Sequence, residues 1–147
     1  MNRVIKSAAV LAAACSLGLL GVSSAGAATA PTGQNVYSVP NLNNCHGWLN
    51  TNWSPARQAQ VVVSADDPAG VAVTCTAQLY SFSDAQGSPQ GASVGQAYTV
   101  TNGAGATGAW VDDNTANVFK YVCVSEIDVN LTTYSVAGSY AGCSSMY

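Results

Sequence analysis

Few residue types in this chain can do chemistry, so each can be weighed in turn. His46 is the only histidine. A Ser–His–Asp hydrolase needs one, so the count alone permits that reading. His46 adjoins Cys45 in an Asn-rich stretch, and a bridged cysteine is no nucleophile. Glu126 and Asp128 stand two apart. Paired carboxylates serve acid–base glycoside chemistry or hold calcium. Strand alternation puts Lys120 on the same face, which a solvated polar face explains equally well. Asp66-Asp67 and Asp112-Asp113 suit turns or caps, and no spacing matches an EF-hand loop. No catalytic residue is assigned, and the protein is expected not to be an enzyme.

The segment from Asn41 to Trp53 is dense in asparagine and aromatic residues, and reads as a structured loop. Sugar rings stack on aromatic faces, and amides hydrogen-bond hydroxyls in both senses. Trp48, Asn50, Asn52 and Trp53 are therefore the candidate binding residues; Trp110 with Tyr98 would make a second such surface. The competing reading is that the tryptophans cover the core and the asparagines shape turns. Asn130-Leu131-Thr132 is a glycosylation sequon, relevant only to eukaryotic export. Asp84–Gly91 is small and Pro-containing, and would be the inserting loop of a hydrolase inhibitor.

The five cysteines divide by position. Cys15 lies in an N-terminal segment with basic Arg3 and Lys6, an apolar run from Ala8 to Leu20, and small residues up to Ala30. That order predicts a secretory signal peptide, residues 1–27, cut after Ala27. Lipidation at Cys15 is the alternative, but Ala12 stands where such sites carry Leu. Cys45, Cys75, Cys123 and Cys143 remain, an even set that predicts two disulfides in an oxidising compartment. Sequential pairing closes the shortest loops. Nested pairing would join Cys75 to Cys123 and Cys45 to Cys143. With one histidine and no C-x-x-C, no metal or cofactor is expected.

The elements that would position these residues read as strands. Residues 28–44 form an extended N-terminal segment, and 45–147 a single domain. Val36–Val39, Gln58–Ser64 and Val71–Phe82 are strand signals, the last alternating strictly with Val73, Cys75, Ala77 and Leu79 on one face. Gln96–Thr101 and Thr107–Val111 flank Asn102-Gly103, a hairpin signal. Val118–Asp128 alternates too, with Phe119, Tyr121, Cys123 and Ile127 expected on the core face. Tyr134–Cys143 closes the chain. About seven short strands predict an all-β antiparallel β-sandwich, with Greek-key or immunoglobulin-like connections open and a barrel as the second architecture. Tyr121-Val122-Cys123 resembles the Tyr-x-Cys of immunoglobulin domains. That resemblance implies an inter-sheet bridge through Cys123.

Beyond the signal, Arg57 and Lys120 face seven acids. Two cations cannot neutralise a row of phosphates, so nucleic acid is not an expected partner. No stretch is long and apolar enough for a transmembrane segment. The expectation is a small secreted, extracellular binding module for a protein or glycan. A structural cell-surface or matrix protein is the alternative, and a small hydrolase inhibitor or secreted hydrolase comes third.

Overall fold

A computed structural model describes residues 31–83 and 91–147. The signal segment, Cys15 and most of the Asp84–Gly91 loop lie outside the described residues. The described chain is all strand and connection: β1 Asn35–Ser38, β2 Cys45–Asn52, β3 Gln58–Ala65, β4 Val71–Ser83, β5 Ala92–Thr101, β6 Gly105–Thr107, β7 Val111–Asp112, β8 Val118–Asn130 and β9 Ser135–Cys143. They make two antiparallel sheets. One runs β1-β2-β3-β6, with β7 also on β3; the other runs β5-β4-β8-β9. β3 and β6 lie side by side, while β4 and β5 between them belong to the other sheet, a Greek-key connection.

The period-2 pattern builds the core. Leu49 from β2, Ala59, Val61, Val63 and Ala65 from β3, Val73, Cys75, Ala77 and Leu79 from β4, and Val122 and Val124 from β8 meet between the sheets. The β4 alternation holds as expected. The β8 alternation holds with the opposite parity: Lys120, Val122, Val124, Glu126 and Asp128 are buried, and Ile127 is exposed. The reason is chemical. Each buried charge finds a partner on the other sheet's loops, so Val122 and Val124 can face inward.

The disulfides are Cys45–Cys75 and Cys123–Cys143, which is the sequential pairing. Cys45–Cys75 joins the two sheets inside the core. Cys123 and Cys143 are direct neighbours across β8 and β9, on the outer face. The inter-sheet bridge implied for Cys123 by the immunoglobulin resemblance is thus replaced by one within a sheet.

Two further expectations change. Cys45–Asn52 is strand β2, not loop, with only residues 41–44 irregular before it. Asn102-Gly103 turns the chain but makes no hairpin: β5 and β6 belong to different sheets. Gly103 has φ 70°, and Ala104 N–H donates to Thr101 O at 3.0 Å. The Asn102 side chain fixes this crossover by accepting from Val73 N–H at 2.8 Å and donating to Val71 O and Asp67 Oδ1.

Candidate functional site

Sheet β5-β4-β8-β9 carries three charged side chains among its strands, Lys120, Glu126 and Asp128, and all three are buried between the sheets. Its outer face is therefore uncharged among the described residues. β4 presents Thr74, Thr76, Gln78 and Tyr80 there, and β8 presents Tyr121, Cys123, Ser125 and Ile127. The Thr76 and Thr99 hydroxyls pair at 3.0 Å. Gln78 Nε2 donates to Leu79 O and Val94 O, holding its amide at the β4–β5 bulge. Tyr80 and Tyr121 stack with centroids 5.4 Å apart. The Tyr121 hydroxyl accepts from Gly91 N–H at 3.0 Å.

Two hollows adjoin this stack. One, about 470 Å³, is lined by Thr76, Gln78, Tyr80, Ser93 and Ser125, together with the Cys123–Cys143 bridge. The other, about 500 Å³, lies between Tyr80, Tyr121, Gly91 and Met146 and shares the same bridge. Their sizes suit a small ligand or one stretch of a polymer. Sequence reasoning placed Thr74, Thr76 and Gln78 outward correctly but gave the β8 half of this face to the core, because it set Tyr121 and Cys123 inward. The signal available was the hydroxyl-rich Thr74, Thr76, Gln78, Tyr80 alternation on β4.

The sequence-derived binding residues are distributed differently. Trp48 lies half-buried on the outer face of β2, where its ring stacks on His46 at 5.9 Å. Asn50 is buried; Gly33 N–H donates to its Oδ1 at 2.7 Å, and its Nδ2 donates to Gln60 Oε1 at 2.9 Å. Asn52 Oδ1 accepts from Gln34 N–H at 3.2 Å. Trp53 is exposed beyond β2 and meets Tyr147 edge to face at 5.0 Å. With the Asn35 amide turned so that its oxygen faces a donor, that oxygen accepts from Trp53 Nε1 at 2.9 Å. The two tryptophans thus have separate partners, and Asn50 spends its amide inside the protein. Trp110 is half-buried; Tyr98, on the inward face of β5, packs against the core.

The polar clusters between the sheets are structural in their bonding. Glu126 accepts three backbone N–H groups, from Asn43 at 2.8 Å, Asn44 at 2.7 Å and Cys45 at 3.2 Å. Asp128 Oδ2 accepts from the Asn43 and Asn44 amides at 3.2 and 2.6 Å. These carboxylates were expected on a solvated face; they instead fasten the chain entering β2. At the other end, Arg57 Nε lies 3.2 Å from Asp113 Oδ2 and Lys120 Nζ lies 3.6 Å from Asp113 Oδ1. Burial pushes the Asp113 carboxyl above the ordinary carboxylate range, against the pull of Arg57 and Lys120. Arg57 also sits over the Trp53 and Tyr147 rings, at 5.1 and 4.8 Å.

His46 Nε2 contacts Asp66 at 3.1 Å in the open, with both side chains about half exposed. A Gly-x-Ser-x-Gly spacing does occur, at Gly91–Gly95. From Ala92 onward it runs along β5 as strand, with no helix following, so Ser93 lacks the strand-to-helix turn of a nucleophile elbow. Ser93 pairs with Tyr80 in one sheet, whereas His46 belongs to the other. No group of three or more metal-ligating side chains occurs among the described residues. No helix among them is long and apolar enough to cross a membrane. The class established is a two-disulfide, all-β sandwich. No protein-family model, curated protein or solved structure matches the chain.

Proposed function

We propose that the protein is an exported, non-catalytic module that binds a neutral glycan through the outer face of β5-β4-β8-β9. The observation that carries this reading is the sorting of charge in that sheet. Lys120, Glu126 and Asp128 turn inward, and the outer face keeps hydroxyls, an amide and the stacked Tyr80–Tyr121 pair. Neutral sugars need such a surface: aromatic faces for C–H-rich ring surfaces and fixed hydroxyls for theirs. Export is supported by the order of residues 1–27 and by two disulfides of the kind that persist in oxidising compartments.

The test is co-sedimentation of the exported protein with insoluble cellulose, chitin and β-glucan. Tyr80→Ala should lose capture of the polysaccharide that the wild type binds, whereas Trp48→Ala should keep it. Capture lost in Trp48→Ala but kept in Tyr80→Ala would move the site to the other sheet. No capture of any neutral polysaccharide would remove the glycan reading.

A structural role at the cell surface is a second reading, favoured by one edge. β9 has no charged residue and no proline, and Val136 on it and Tyr134 before it are 66% and 84% exposed. Edges of that composition pair with other strands. Concentration-dependent assembly in light scattering, abolished by Val136→Lys, would support this reading.

A further inference from the structure

The two basic residues of the described chain converge on one carboxyl. Lys120 and Asp113 approach from different sheets, Lys120 from β8 and Asp113 from the turn after β7. Their side chains are 8% and 0% exposed, and Nζ stands 3.6 Å from Oδ1. That is longer than the usual ~2.7–2.9 Å of a closed charge-assisted hydrogen bond. Neither Asp113 oxygen holds a well-directed hydrogen bond, while Lys120 Nζ lies 3.1 Å from Ser81 Oγ. An amine is thus held beside a fully buried carboxyl. Asp113 N–H is itself fixed to Arg57 O at 2.9 Å.

From this geometry we propose that Asp113 and Lys120 condense into an isopeptide bond that cross-links the two sheets. In the ion pair, the Lys120 ammonium passes one proton to the Asp113 carboxylate. The neutral amine then attacks Cγ of the neutral acid, forming the C–N bond. The Arg57 guanidinium, beside Oδ2, stabilises the oxygen that gains charge. A C–O bond breaks, and the hydroxyl leaves with a proton from Nζ as water. An ammonium and a carboxylate become one amide and one water, so atoms and charge balance without oxidant or cofactor. Burial of the Asp113 carboxyl raises the share of the neutral acid, the form an amine attacks. Fixed proximity supplies the remaining advantage over the same reaction between free side chains. Arg57, left without its anion, keeps the Trp53 and Tyr147 rings as partners.

The placement has a consequence for the sandwich. Cys45–Cys75 ties the sheets where β2 begins, and Asp113 sits near Gln58, which pairs with the last residue of β2. The isopeptide would close the opposite end of the same layer pair.

Trypsin reads the bond directly, because Arg57 and Lys120 are the only cleavage sites in residues 28–147. The exported protein is unfolded, reduced, alkylated and digested, and its fragments are weighed. The expected product is one fragment, 58–147, lighter than its sequence by the mass of one water. Lys120→Arg, which keeps the charge but cannot form the amide, should release 58–120 and 121–147 at full mass. Separate wild-type fragments at full mass, or an uncut 58–147 fragment at full mass, would overturn the proposal. The wild-type masses decide it even if the Lys120→Arg chain does not fold.

Discussion

The Glu126 side chain accepts the Asn44 backbone N–H at 2.7 Å, across 82 positions of sequence. The Asn43 and Cys45 N–H groups complete the cradle. A carboxylate on β8 therefore stands in for a strand partner at the point where the chain enters β2. Buried N–H groups must be satisfied, and here one side chain satisfies three. The neighbouring Asp128 takes the Asn43 and Asn44 amides, so both asparagines are oriented from the opposite sheet.

Replacing Glu126 with Gln should therefore destabilise the fold by roughly 2–4 kcal/mol, because one cradle oxygen becomes an NH₂ facing backbone donors. Urea unfolding of the variant measures it. A change under about 0.5 kcal/mol would mean that the cradle N–H groups find other acceptors. Asn44→Ala, which removes one amide contact and leaves the backbone cradle, should cost less than Glu126→Gln.

The two disulfides should differ in effect. In the loop-entropy model each contributes about 3–4 kcal/mol, so the model alone barely separates them. Their surroundings do. Cys45 and Cys75 are 2% and 0% exposed between the sheets, and replacing both by Ala also removes sulfur from a packed core. Cys123 and Cys143 bridge neighbouring strands already held by the β8–β9 ladder. The Cys45→Ala/Cys75→Ala pair should lower the unfolding midpoint more than Cys123→Ala/Cys143→Ala; the reverse order would contradict this account.

Which parts of this were legible in the sequence follows from physics. The β4 alternation of Val73, Cys75, Ala77 and Leu79 fixes both strand and face, because its polar positions are neutral and belong outside. On β8 the same period is present, but the face is ambiguous: Phe119, Tyr121 and Ile127 compete with Val122 and Val124 for the core. Lys120, Glu126 and Asp128 decide the outcome through partners: Asp113, near in sequence but carried by the other sheet, and residues 43–45, too distant in sequence for any local pattern to reach. The Asn-rich run misleads for a related reason. Asparagines at 50 and 52 usually mark turns, but here they lie on β2 and bond to residues 33, 60 and 34. The proposed binding face inherited the error, since a reversed β8 hides Tyr121 and the Cys123–Cys143 bridge inside the core.

Binding at the outer face of β5-β4-β8-β9 should be nearly independent of salt. Screening acts on charges, and this face has none among the described residues. Polysaccharide capture is therefore expected to change less than about twofold between low and 1 M sodium chloride, where the Debye length falls to about 3 Å. A steep fall would instead point to the acidic Asp66–Asp67 or Asp112 turns as the binding surface.

Tyr147 should make the protein sensitive to alkali. Ser144 N–H donates to Val122 O, and Tyr147 exchanges two backbone hydrogen bonds of 2.9 Å with Lys120. This lays the Tyr147 ring among Tyr37, Trp53 and Arg57. Its hydroxyl is buried without a well-directed hydrogen bond. Burial raises the phenol above its ordinary value, more than nearby Thr51 and Arg57 lower it. A raised folded-state value means that Tyr147 contributes stability fully present below the unfolded value near 10. That contribution is lost as pH rises through the higher folded value. Tyr147→Phe removes the titration and leaves the ring. At neutral pH it should alter stability by less than about 1 kcal/mol, since no well-formed hydrogen bond is lost. Above pH ~10 it should unfold at higher urea concentration than the wild type. Parallel urea midpoints for the two proteins across the alkaline range would show that the Tyr147 hydroxyl reaches water.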